Sequence, residues 1–154
     1  MPSSPGFFRS PLQAQVVFEL AWWIFSAALV ALCVMPIWGD PLYGRFVPTT
    51  AVFVLTASFG FRYLFFLRHT FIAHVTAAKL VLVIVPIWLG FQLVDYIQEF
   101  NEFVDYEDPD PNTSTNGFFR KEFVFLGVLA VFSTLSLPVR MVVSLWRQYN
   151  GEGV

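Results

Sequence analysis

Apolar residues fall along this chain in four long runs, at 15–38, 47–67, 72–97 and 123–145, each parted from the next by a polar or turn-forming stretch. A helix needs about 20 mostly apolar residues to cross a bilayer, so each run predicts one membrane span. The first two are joined by GDPLYGRF and the second and third by a tight turn near Arg68 and His69. The last two are joined by a polar segment over about 98–122. Short links make neighbouring helices antiparallel, which predicts two αα-hairpins in a single all-α, four-helix transmembrane domain over 1–154.

The third run does not stop at the membrane edge. In FQLVDYIQEFNEFVDYEDPD the apolar residues Val94, Ile97, Phe100 and Val104 keep helical spacing, while Asp95, Glu99 and Glu102 share the other face. This helix is expected to continue to about Tyr106, where DPDPN ends it, because proline disfavours helix in the residue before it. The acidic face reads either as a solvated helix end or as a docking surface for a basic partner or a divalent ion. Its alternate acids lack the central glycine and closing glutamate of an EF-hand loop, which argues against calcium.

Composition changes the picture in one respect. The chain is 56% hydrophobic and 13% charged, against about 25% charged in soluble domains. That excludes an ordinary water-soluble fold and predicts an integral membrane protein. The opening MPSSPGFFRSPLQAQ has no apolar core with a cleavage site, so insertion without cleavage is expected. The lone Cys33 permits no internal disulfide and reads as a packing residue. Asn112-Thr113-Ser114 is a formal glycosylation acceptor that counts only in a secretory lumen.

Charge sets the expected direction. Arg9, Arg62, Arg68, Lys79, Arg140 and Arg147 lie toward one side, and Arg45, Arg120 and Lys121 lie toward the other beside a run of acids. The positive-inside rule then places both termini inside.

Two passages repeat. Ser26–Trp38 (SAALVALCVMPIW) matches Thr76–Trp88 (TAAKLVLVIVPIW), and Thr56–Arg62 (TASFGFR) matches Thr134–Arg140 (TLSLPVR). The shared Pro-Ile-Trp and Thr-Ser-Arg registers read as a parallel duplication of one hairpin, with Pro36 and Pro86 as matching kinks. In this register Lys79 stands opposite Leu29, whereas Arg62 and Arg140 are equivalent.

Both arginines lie about 8 Å from the bilayer centre at 1.5 Å per residue. Glu19 is at similar depth, and His69 and His74 stand at the same end of the third helix. Charges at such depth cost about 2.5–3.5 kcal/mol each on insertion scales and normally face the bundle or a wet cavity. The belt of Arg62, Lys79, Arg140, Glu19 and His69 admits four readings: snorkelling side chains, a pocket for an anionic, cardiolipin-like phospholipid, a contact with neighbouring subunits, or an ion pathway. An energetic argument adds that Glu19 should reach one cation among Arg62, Lys79 and Arg140.

No catalytic set emerges from the residues. There is no Ser-His-Asp arrangement, Cys-x-x-Cys or nucleotide loop, and His69 and His74 are roughly 140° apart around a helix, too far to clamp one metal. No cofactor, metal, nucleic acid or small-molecule substrate is expected. The reading is a non-catalytic accessory subunit of a larger membrane complex, set in a mitochondrial inner membrane or a bacterial plasma membrane. The alternative is a small transporter or channel built on the duplicated hairpin.

Overall fold

The computed structural model describes residues 11–66, 76–106 and 114–150. Among them the secondary structure is helical, with four long helices: α1 Pro11–Val34, α2 Val47–Phe66, α3 Thr76–Tyr106 and α4 Ser114–Tyr149. All four are long and apolar enough to cross a membrane, so the chain is an integral membrane protein.

The α1–α2 link shows why the first span stops. Met35–Ile37 forms a 3-10 turn containing Pro36, and Gly39 then takes a left-handed φ of 83°, a conformation that glycine adopts without a Cβ penalty. Asp40 Oδ1 accepts hydrogen bonds from the backbone N–H groups of Leu42 and Tyr43, both at 2.8 Å, and fastens the turn. A second 3-10 turn, Gly44–Phe46, leads into α2. Pro36 is therefore part of a helix terminus. Pro86, its counterpart in the sequence repeat, lies buried inside α3. The expected pair of matching kinks is corrected here: Gly39 and Asp40 come soon after Pro36 and end the helix, whereas Ile87, Trp88 and Leu89 continue it.

The polar segment expected over 98–122 is helical at both of its ends. Helix α3 continues to Tyr106, with Phe100, Phe103 and Val104 buried. Helix α4 begins at Ser114, ahead of the apolar run at 123, because Phe119 is also buried and lies one turn before Phe123. Burial of this aromatic stripe outweighs the local polarity of 114–122.

Helix α4 packs along both α2 and α3, while α1 rests mainly on α2. At one end of the bundle the turn after α1, the start of α2, the end of α3 and the start of α4 meet in an aromatic cluster. Tyr43, Phe46, Phe53, Phe100, Phe103, Phe119 and Phe123 are all nearly or fully buried there. Phe100 and Phe123 stack with centroids 4.0 Å apart, and Phe46 meets Phe100 edge-on at 5.0 Å. Such pairs add about 0.5–1.5 kcal/mol each beyond area burial.

Toward the other end the helices approach through small residues. Ser26 of α1 and Ser58 of α2 share a hydrogen bond between hydroxyls. A Cβ added at Gly60 of α2 would lie 2.6 Å from Ser133 Cβ and Oγ on α4 and 3.2 Å from the Ser133 backbone carbonyl carbon. Without a hydrophobic drive between helices inside lipid, this kind of close backbone approach is what supplies packing energy. Gly60→Ala is expected to force α2 and α4 apart at a cost of about 1–3 kcal/mol. Equilibrium unfolding in mixed detergent micelles checks it; an unchanged midpoint would mean that the crossing is looser than described.

Candidate functional site

The end of the bundle opposite the aromatic cluster carries Glu19, Arg62, Lys79 and Arg140. Arg62, on the last full turn of α2, is completely buried, and its Nη2 forms an ion pair with Glu19 Oε1 of α1. The guanidinium carbon also lies 5.3 Å from the Phe18 ring centroid and 6.0 Å from that of Tyr63. Arg62 Nε and Nη1 are buried without a hydrogen-bond partner. A buried guanidinium with two donors unmet depends heavily on its one carboxylate and on the ring faces beside it. Glu19 is the half-open member of the pair, with 36% of its side chain exposed.

The α1/α2 seam is thus a polar stripe. Glu19 and Ser26 are two turns apart on α1, and Ser58 and Arg62 one turn apart on α2, so the ion pair and the hydroxyl pair stack along one interface. Ser26 Oγ in addition donates to the Trp22 carbonyl at 2.9 Å.

Lys79 is fully buried on α3. One turn later on the same face, Leu82 joins a small cluster with Tyr63, Leu137 and Met141. Lys79 therefore faces the interior of the bundle. Arg140 differs. It is partly exposed, its Nε is buried without a hydrogen-bond partner, and it stands at the wall of an open groove of about 800 Å3 running along α4.

The five residues expected to form the basic belt therefore divide. Glu19 and Arg62 form one closed pair, Lys79 is enclosed on α3, and Arg140 opens to the surface on α4. His69 lies outside the described residues, as do His74, Arg68 and Asn112. The equivalence of Arg62 and Arg140 suggested by the sequence repeat does not carry over to their surroundings. Arg62 has α1 beside it to supply a carboxylate, and Arg140 has no carboxylate in ion-pair reach among the described residues.

At the aromatic end Asp95, Glu99 and Glu102 are exposed on α3, on the face away from the core. Glu99 and Glu102 line a hollow of about 360 Å3 with Arg45, whose guanidinium carbon sits 3.9 Å over the Phe103 ring. The acids are thus partly balanced by a cation from the α1–α2 link, a neighbour that the linear sequence does not bring near them.

Glu122 is the residue that sequence reasoning passed over. Grouped with Arg120 and Lys121 as polar linker, it instead sits inside α4, adjoining Cys33 of α1, with Oε2 buried and without a hydrogen-bond partner. Its spacing of one residue from buried Phe123 gave no warning, because only the unexpected early start of α4 draws it into the bundle. Tyr63 and Phe18, which flank the Arg62–Glu19 pair, could have been found: Tyr63 directly follows Arg62 and Phe18 directly precedes Glu19.

No protein family, curated protein or solved structure matches the chain.

Proposed function

We propose that this protein is a non-catalytic accessory subunit of a larger membrane complex, with an inner-leaflet basic belt that takes anionic phospholipid. The observation that carries the reading is the aromatic cluster. Seven nearly or fully buried rings from the α1–α2 link, α2, α3 and α4 fill the bundle at one end, with ring centroids 4.0–6.4 Å apart, a packed joint rather than an open lumen. The Arg62–Glu19 pair lies away from that cluster and closes α1 on α2, which suits a bolt between the two helices better than a station for a moving ion.

The outward surface supports the same reading. Trp38, Trp88, Phe91 and Trp146 are each more than 60% exposed, and large apolar residues cover α1 and α3 on several sides. Lipid covers such a surface, and so do neighbouring transmembrane helices. In this proposal the four helices form two antiparallel hairpins, α1–α2 and α3–α4, with α2 against α4 at the centre. That arrangement suits a duplicated hairpin whose halves have since diverged at Pro36/Pro86 and Arg62/Arg140. Both termini face the inside by the charge bias, in a mitochondrial inner or bacterial plasma membrane. Asp95, Glu99 and Glu102 offer a docking face on the other side.

The rival is a small transporter or channel. Purified protein reconstituted in liposomes is expected to pass protons, sodium or potassium no faster than protein-free vesicles under an imposed gradient. A saturable flux that disappears on Arg62→Met would overturn the accessory-subunit proposal in favour of the rival.

A further inference from the structure

We infer that the groove along α4 is the seat of one anionic phospholipid, with Arg140 holding the phosphate and a single acyl chain lying along the outward face of α4. This rests on the reading of the charged end as a lipid-binding belt, and it narrows that belt to one residue and one surface. Of the belt cations described, Arg62 is enclosed and paired with Glu19, and Lys79 is enclosed on α3. Arg140 alone among these three reaches the surface, on the wall of a groove of about 800 Å3.

The groove has the shape of a lipid tail's path. Its floor is the α4 stripe Val128, Phe132, Leu135 and Val139, residues three or four apart, and Val94 of α3 stands along one side. Apart from Arg140 and the Ser136 hydroxyl its lining is apolar, and that hydroxyl is already spent on the Phe132 carbonyl at 2.7 Å. Among the described residues that line the groove, the only charge is therefore the guanidinium.

Depth selects a phosphate over a carboxylate buried at mid-membrane. The apolar run of α4, 123–145, is centred on Thr134. Arg140 lies six residues further on, about 9 Å from the centre at 1.5 Å per residue. The hydrocarbon of one leaflet is about 15 Å deep, so Arg140 sits about 6 Å inside its edge. An extended arginine covers that gap, and its planar fork holds two phosphate oxygens together. From Arg140 to Val128 the groove runs another 12 residues, about 18 Å, past the bilayer centre. One leaflet's acyl chain fits within that length. The Arg140 guanidinium, whose two Nη atoms are not enclosed and which has no carboxylate in ion-pair reach among the described residues, supplies the charge complementarity.

Titration of the detergent-solubilised protein with dioleoylphosphatidylglycerol and dioleoylphosphatidylcholine, read by native mass spectrometry, tests this. Wild type is expected to retain the anionic lipid about tenfold better, the scale of one charge-assisted bidentate contact. Arg140→Gln should equalise the two lipids, and Arg140→Lys should restore part of the preference. Val139→Trp, a change at an exposed position that narrows the groove, should lower retention of both. The double variant Glu19→Gln/Arg62→Met should keep the preference. An unchanged preference in Arg140→Gln overturns the inference; if Lys79→Met abolishes the preference instead, the belt reading survives and only the groove is wrong. No preference in wild type removes both. Release of a co-purified polypeptide, with no change in lipid, from Arg140→Gln also overturns it and leaves the accessory-subunit reading standing.

Discussion

Glu19→Gln is expected to cost about 3 kcal/mol of stability, the lower end of what breaking a buried ion pair costs. The reason is asymmetry of burial. Arg62 is fully enclosed, with two of its nitrogens already lacking partners, and Glu19 is its only carboxylate among the described residues. Neutralising the acid leaves an uncompensated guanidinium inside the bundle, where the Phe18 and Tyr63 faces alone must hold it. Because Glu19 is about one-third exposed, water and headgroups soften the loss, which places it at the lower end. Removing both charges in Glu19→Gln/Arg62→Met should return most of the loss, since apolar replacement of a buried pair is often close to neutral. A double-mutant cycle on unfolding in mixed micelles measures the coupling. Additive single losses, with no recovery in the double variant, would show that the two side chains do not depend on each other.

Phe123→Ala should be about as damaging, at about 3–5 kcal/mol. Phe123 is fully buried and its ring meets Phe46, Phe53, Phe100 and Phe119, so one truncation empties the centre of the cluster that joins α2, α3 and α4. The hole is enclosed by rings from three helices and cannot collapse by moving one side chain. Phe123→Leu should recover about half the loss, because it refills part of the volume. Loss of the cooperative unfolding transition in Phe123→Ala, monitored by tryptophan fluorescence, is the readout. Phe118→Ala serves as the contrast: Phe118, just over one turn earlier on α4, is 63% exposed and should be near neutral.

These two effects mark what the sequence could and could not reveal. The spans were legible because hydrophobic length is a property of the chain alone, and a run of about 20 apolar residues has few alternatives. The extension of α3 was legible from the spacing of Phe100 and Val104. The early start of α4 was not, since polar residues at 114–122 mask the stripe of Phe119 and Phe123 until α3 is placed opposite them. The Glu19–Arg62 pair could be inferred from energetics, because a membrane-embedded acid seeks a cation and three stood at the same depth. Which of the three took it depended on helix order: α1 rests on α2, so Arg62 received the carboxylate and Arg140 did not. The match between Pro36 and Pro86 misled about local structure for a related reason. A proline's effect depends on the residues C-terminal to it, and Gly39 with Asp40 ends one helix while an apolar run extends the other.

The Arg45–Phe103 stack and the placement of Glu122 against Cys33 lie beyond sequence reading altogether. Each joins residues more than fifty positions apart through the way the aromatic end closes. Neither residue type, taken alone, distinguishes a solvated linker from a buried helix turn.

The accessory-subunit proposal is tested most directly by the intact mass of the assembly that contains this chain. Membranes from cells that express it, extracted in a mild detergent and analysed by native mass spectrometry, should give a particle in which the chain is present at fixed integral stoichiometry with other membrane polypeptides. Stepwise activation should release the chain as a folded 17.6 kDa subunit. A chain recovered only as a monomer or homodimer, with no other polypeptide at fixed ratio under any extraction that preserves known complexes of the same membrane, would contradict the account.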